Sequence, residues 1–149
     1  MSIPALPAAL SETFAHYRAD VNARLLQIRS LIFTTAADMP DVGPLTETLK
    51  WGEAAYLTEA SGSGTTIRLG TTKSAPDCCA VFVNCQTTLI SDFRSHFADD
   101  FIFEGNRALI IPAHAPLPKE PLILCLRSAL TYHQHKKQKA KATTAGLTA

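Results

Sequence analysis

Apolar residues recur at three- and four-residue steps from Leu10 through Phe14, Tyr17, Val21, Leu25 and Ile28 to Ile32, which is the spacing of one stripe along a helix. The pattern predicts a single long helix opened by Ser11-Glu12-Thr13 and carrying Arg18, Asp20, Asn22, Arg24 and Arg29 on its other faces. Met39-Pro40 and Gly43-Pro44 end it, and Leu45 to Thr48 reads as a short turn of helix. From Leu49 the period falls to two. Strands are expected over Leu49 to Leu57, Thr65 to Gly70 and Cys78 to Asn84, joined by Ser61-Gly62-Ser63-Gly64, a flexible connection, and by Lys73-Ser74-Ala75-Pro76-Asp77.

A second helix follows over Thr88 to Ala98, burying Leu89, Ile90, Phe93 and Phe97. Phe101 to Glu104 and Arg107 to Ile111 flank Gly105-Asn106, a pair suited to a two-residue hairpin turn. Pro121 falls in the first turn of a last helix, whose stripe is Leu122, Leu126, Ala129 and Leu130. Short polar connections favour antiparallel neighbours, because a parallel return needs a long crossover. The expectation is an α+β domain over residues 8–135, in the order α-β-β-β-α-β-β-α, with a five-stranded mainly antiparallel sheet and helices on one face.

Composition narrows the classes. A chain of 149 residues with 46% hydrophobic and 18% charged residues is long enough for one domain with its own core. A formal charge of +1 gives no whole-molecule field for nucleic acid or an acidic membrane. The one basic run, within 136–149, reads as a solvated, disordered tail. No run of apolar residues approaches the length of a membrane span, and Met1 to Pro7 lacks the basic start and apolar stretch of a secretory signal. The expected location is the cytoplasm. Cys78, Cys79, Cys85 and Cys125 form no C-x-x-C pair; Cys79 and Cys85 alternate with Val81 and Val83 on one strand face, where burial is expected, and Cys78 faces the other way.

Chemistry gathers around Leu49-Lys50-Trp51-Gly52-Glu53-Ala54-Ala55-Tyr56. Read as one strand, it sets Lys50 and Tyr56 toward a groove and Trp51 and Glu53 toward the packed side, unless a bulge at Gly52 brings Glu53 round beside Tyr56. Trp51 serves either as a stacking wall or as a filler between sheet and helix. Arg68 projects on the face of Lys50, and with Lys73 and Arg107 would surround a groove with cations suited to carboxylate or phosphate; scattered cations on an open sheet face are the plainer alternative. Glu104 and Arg107 read as a cross-strand pair beside the hairpin turn. The candidate ligand-binding set is therefore Lys50, Trp51, Glu53, Tyr56, Arg68 and Arg107. No nucleophile–base pair, glycine-rich phosphate loop or metal-ligand spacing accompanies it, so no catalytic residue and no cofactor is expected.

Leu49-Lys50-Trp51-Gly52-Glu53-x-x-Tyr56, Phe103-Glu104-Gly105-Asn106-Arg107-Ala108 and the ending Leu130-Thr131-Tyr132-His133 resemble the bacterial YdhG-like family, small domains of unknown function. The resemblance spans about Phe14 to His133 and implies an α+β domain with an antiparallel sheet. One branch of that family is frataxin-like, which implies iron binding or delivery through a ridge of carboxylates on the first helix and adjoining strand. Here that helix offers Glu12 and Asp20 among Arg18, Arg24 and Arg29, few oxygen ligands for a hard cation. The leading expectation is a small non-catalytic binding domain with a groove for a small anionic ligand and no nucleic-acid or membrane partner. Iron handling and a protein-interaction module, including a homodimer joined through an edge strand, are the alternatives.

Overall fold

The computed structural model describes residues 3–137, so the basic tail lies outside the described residues from position 138 on. Its elements are α1 (Ala8–Ala15), α2 (Ala19–Ala37), β1 (Thr46–Lys50), β2 (Glu53–Leu57), β3 (Ile67–Thr72), β4 (Ala75–Phe82), α3 (Leu89–Phe97), β5 (Ile102–Glu104), β6 (Ala108–Pro112) and α4 (Lys119–Leu130). A further helical stretch covers 132–137. The six strands form one antiparallel sheet in the order β1-β2-β3-β4-β6-β5.

Two departures from the sequence reading change the element order. The first apolar stripe is continuous, yet the helix breaks: the His16 and Tyr17 amides donate to the carbonyls of Thr13 and Phe14, tightening the last turn of α1, and Arg18 is extended at φ −54° and ψ 150°. A helix then restarts at Ala19, with Asp20 accepting from the Val21 amide in its first turn. The second departure is larger. Leu49 to Leu57 is a hairpin rather than one strand, so the sheet has six strands instead of five, and Thr46 to Thr48 is strand rather than helical turn.

Helices contribute to the core on one face of the sheet. Phe14, Val21, Leu25, Ile28, Ile32, Ile90, Phe93, Leu122, Leu126 and Leu130 pack with the strand residues Ala54, Tyr56, Ile67, Leu69, Cys79, Val81, Leu109 and Ile111. The opposite face has a smaller cluster of strand residues, Ala80, Phe82, Ala108 and Ile110. Burial in the larger core pushes the Cys79 and Cys125 thiols up to about 12. Cys85, expected beside Cys79, is exposed, because β4 ends at Phe82 and the alternation stops with it.

One ion pair lies inside this layer. Arg29 of α2 donates through Nε to Glu47 of β1 at 2.6 Å and through Nη2 at 2.9 Å, with both side chains less than a tenth exposed. Its Nη2 also donates to the Pro4 carbonyl at 2.8 Å, and its guanidinium lies 5.0 Å from the Phe33 ring centroid. Arg29 thus fastens the segment before α1, helix α2 and edge strand β1 at one point. Arg29→Ala leaves a buried carboxylate uncompensated and is expected to cost about 3–5 kcal/mol; Arg29→Ala with Glu47→Gln should recover part of that loss in chemical denaturation.

The loop over 58–66 is pinned, contrary to its reading as a flexible connection. Ser63 Oγ donates to the Leu130 carbonyl at 2.7 Å, the Thr65 amide to Ala129 at 2.9 Å, and the Gln134 amide to the Ser63 carbonyl at 3.0 Å. A side chain at Gly64 would collide with the backbone of Ala129 and Leu130, whereas Gly62, at φ 66°, faces open space. Gly64→Ala should therefore lower stability by about 3 kcal/mol and Gly62→Ala by about 1 kcal/mol. Equal shifts in melting temperature for the two variants would contradict this packing.

Candidate functional site

Trp51 and Gly52 form the two-residue turn between β1 and β2, with Lys50 directly opposite Glu53. Their φ angles are 56° and 75°, the double positive φ of a type I′ turn. Gly52 adopts this freely; a tryptophan does so at a cost of about 1–2 kcal/mol. Among the described residues Trp51 alone combines a side chain with positive φ. It is also 89% exposed, so no burial of the ring offsets the strain. A bulky residue in this conformation is a conformational outlier, and such outliers gather at functional positions.

The turn reverses which face each later residue takes. With Lys50 opposite Glu53, both project from the face away from the helices, while Ala54 and Tyr56 turn into the core. Arg68 pairs with Ala55 on one side and Phe82 on the other, on the same open face. Its Nη1 donates to Glu53 Oε1 at 2.6 Å, and its guanidinium lies 5.3 Å from the Phe82 ring centroid. The Glu53 carboxylate lies over Gly70, where any side chain would meet it. Loss of water raises the Glu53 pKa above the ordinary carboxylate value, with Arg68 and Arg107 pulling less strongly the other way.

Two clefts meet on this face. The smaller, of about 250 Å³, is lined by Lys50, Trp51, Arg68, Arg107 and, from the segments after β2 and β4, Thr65, Thr66, Val83, Asn84 and Cys85. Three cations and no carboxylate border it. The larger, of about 450 Å³, shares Arg68 and Arg107 and adds Glu53, Lys73, Phe82 and Glu104 among its walls. Arg107 reaches both because it belongs to a three-residue turn, 105–107, and not to a strand. Glu104 consequently pairs with Ala108 across the hairpin, not with Arg107, and its carboxylate accepts from Ser74.

The structure thus brings Lys50, Trp51, Arg68 and Arg107 around one cleft and sets Glu53 beside them. Tyr56 is separated from them by the sheet itself. It is fully buried, packs edge-on against Phe33 at 5.8 Å between centroids, and its pKa is raised by burial and then by Glu47. Its placement on the Lys50 face assumed an unbroken strand. Thr65, Thr66, Val83, Asn84 and Cys85 complete the lining, and the strands expected over Thr65 to Gly70 and Cys78 to Asn84 stop short of these residues, because β3 begins at Ile67 and β4 ends at Phe82.

No protein-family model matches the sequence, and no curated protein matches it. The architecture does have a counterpart: the crystal structure of YdhG from Bacillus subtilis, a protein from the DUF1801 family, superposes with a TM-score of 0.55 over 88% of this chain and 91% of that one, at 14% sequence identity. The chain folds as a YdhG-like domain. At that identity the likeness concerns fold and carries no function with it.

Iron, which the frataxin-like branch of YdhG-like domains implies, does not fit the residues present. Asp20 already accepts from Arg18 at 3.0 Å and lies 2.7 Å from His114 Nε2. Glu12 is exposed on α1. Among the described residues no three His, Cys, Asp or Glu side chains converge as a metal site, and no helix is long and apolar enough to cross a membrane. A cavity of about 490 Å³ lies between α3 and α4, floored by Leu89, Phe93 and Phe97; none of the candidate ligand-binding residues lines it.

Trp51→Asn tests whether the turn is strained. It installs Asn-Gly, a favoured type I′ pair, and should raise stability by about 1 kcal/mol, read as a higher denaturation midpoint with unchanged slope. A lower midpoint would show that Trp51 is held by contacts worth more than the strain.

Proposed function

We propose that this chain is a small non-catalytic domain that binds a small anion in the cleft between Trp51 and Arg107. The carrying observation is the composition of that cleft: Lys50, Arg68 and Arg107 border it and no carboxylate does. Guanidinium groups present paired donors that match carboxylate and phosphate oxygens. Arg68 is already held between Glu53 and the Phe82 ring, so ordering it for a ligand costs little further side-chain entropy. Trp51 stands at the lip with its ring open to solvent and gives a planar ligand a surface on which to stack.

The surroundings of the cleft's one cysteine support binding over catalysis by that thiol. Cys85 lines the cleft without a histidine or a carboxylate among the other lining residues, so no side chain of those kinds is placed to take its proton.

The test uses the single tryptophan as reporter. Titration with sulfate, phosphate, small carboxylates and nucleoside monophosphates should give a saturable change in Trp51 fluorescence for at least one of them, and the same compound should slow alkylation of Cys85. Arg68→Ala and Arg107→Ala should each weaken that binding about tenfold or more, as loss of a charge-assisted hydrogen bond requires. If no anion alters either signal at millimolar concentration, the proposal fails.

A further inference from the structure

We propose that Glu53 determines what this cleft accepts: an anion enters together with one proton taken up from solvent by the Glu53 carboxylate, and it is released as the pH rises. The inference rests on the anion-binding reading above and deepens it. Glu53 lies outside the cation-lined cleft but on the wall that bounds it, because its Oε1 accepts from Arg68 Nη1 at 2.6 Å, and Arg68 belongs to both clefts. The protein therefore places its own carboxylate on one of the guanidinium groups that an incoming anion needs. The placement depends on Gly70, the one β3 position opposite Ala80 that leaves room for that carboxylate.

The electrostatics then have a fixed sign. Glu53 is faced by Arg68 from β3, by Arg107 from the 105–107 turn, and by Tyr17 from the junction of α1 and α2; Lys50 of β1 lies opposite it, and Lys73 and Glu104 share its cleft. In the free protein burial outweighs the two arginines and its pKa already lies above the ordinary carboxylate value. A second negative charge on Arg68 and Arg107 competes for the same donors and repels the carboxylate, which raises that pKa further. Below the free-state pKa the carboxyl is already neutral and anion affinity is at its maximum. Above the bound-state pKa it is ionised in both states and affinity is at its floor. Between the two, each anion bound brings in a proton. No histidine lines either cleft, and Glu104 is the other carboxyl among their lining residues, which makes it the group to control for.

Sulfate is the suitable probe, since it stays a dianion throughout. Its dissociation constant is measured by amide chemical-shift titration from pH 4 to 8 at constant ionic strength, for the wild type, Glu53→Gln, Glu104→Gln and Arg68→Ala. The wild type should lose affinity with rising pH, at most about tenfold per pH unit for one linked proton. Glu53→Gln should be nearly flat and, at pH 7, should bind roughly tenfold tighter, the size of one nearby like charge removed at a protein surface. Glu104→Gln should keep the wild-type slope. If sulfate binds in an Arg68-dependent manner but Glu53→Gln keeps the slope or binds more weakly, Glu53 merely positions Arg68 and this inference alone is overturned. If sulfate shifts no resonance of cleft residues in any variant, the anion site falls and the inference with it.

Discussion

A two-residue turn decides the chemistry of this sheet. Side chains alternate along a strand, so the number of residues spent in a reversal determines which layer every later residue joins. Reversal at Trp51-Gly52 puts Lys50 and Glu53 on the open face and sends Ala54 and Tyr56 into the core. Two small residues, Ala55 and Gly70, then share the open face with Arg68, and the Glu53 carboxylate lies over Gly70 to meet it. A three-residue loop after Lys50 would instead pair it with Ala54 and bring Tyr56 out onto the face of Lys50. The register is secured from the other side of the sheet, where Arg29 grips Glu47 and Tyr56 packs against Phe33.

Positive charge on the open face is arranged, not merely abundant. The chain as a whole is close to neutral, yet Lys50, Arg68 and Arg107 arrive from three separate segments at one cleft of about 250 Å³. Two different devices bring them there. Arg68 is carried by strand alternation and steadied by Phe82, whereas Arg107 sits in a turn whose backbone is fixed by the Val83 amide donating to its carbonyl at 2.8 Å. The cleft therefore combines a rigid wall with a lip, Trp51, that projects beyond the sheet.

Much of the fold was legible because the periods were strong. The apolar positions of α2, α3 and α4 and the alternation through β3, β6 and β4 as far as Val83 appear in or against the core as their spacing required, and Cys85 is the exception. The α+β class and the layering of helices on one face followed from these. The break at residues 16–18 was not legible, since the apolar stripe runs straight through it and neither glycine nor proline marks it. Nor was the first hairpin: tryptophan is a strand residue by propensity, and only the glycine beside it spoke for a turn. That single misreading accounts for the missing sixth strand and for the placement of Tyr56. The reading that set Arg68 with both Lys50 and Tyr56 holds for Lys50 alone, since Arg68 pairs with Ala55 and Tyr56 with Ile67, and Asn84 and Cys85 enter the cleft through loop geometry, which has no period to read.

The strand order also shapes how the chain finds this structure. From β1 to β4 each strand pairs with its neighbour in sequence, so the meander closes short loops, at small entropic cost. Pairing β6 against β4 is different, because helix α3 and strand β5 intervene. Chains assemble local contacts faster than distant ones. The turn at Trp51 and the Glu53–Arg68 pair thus belong to the locally paired part of the sheet, while Arg107 reaches the cleft only through the longer-range pairing of β6 with β4.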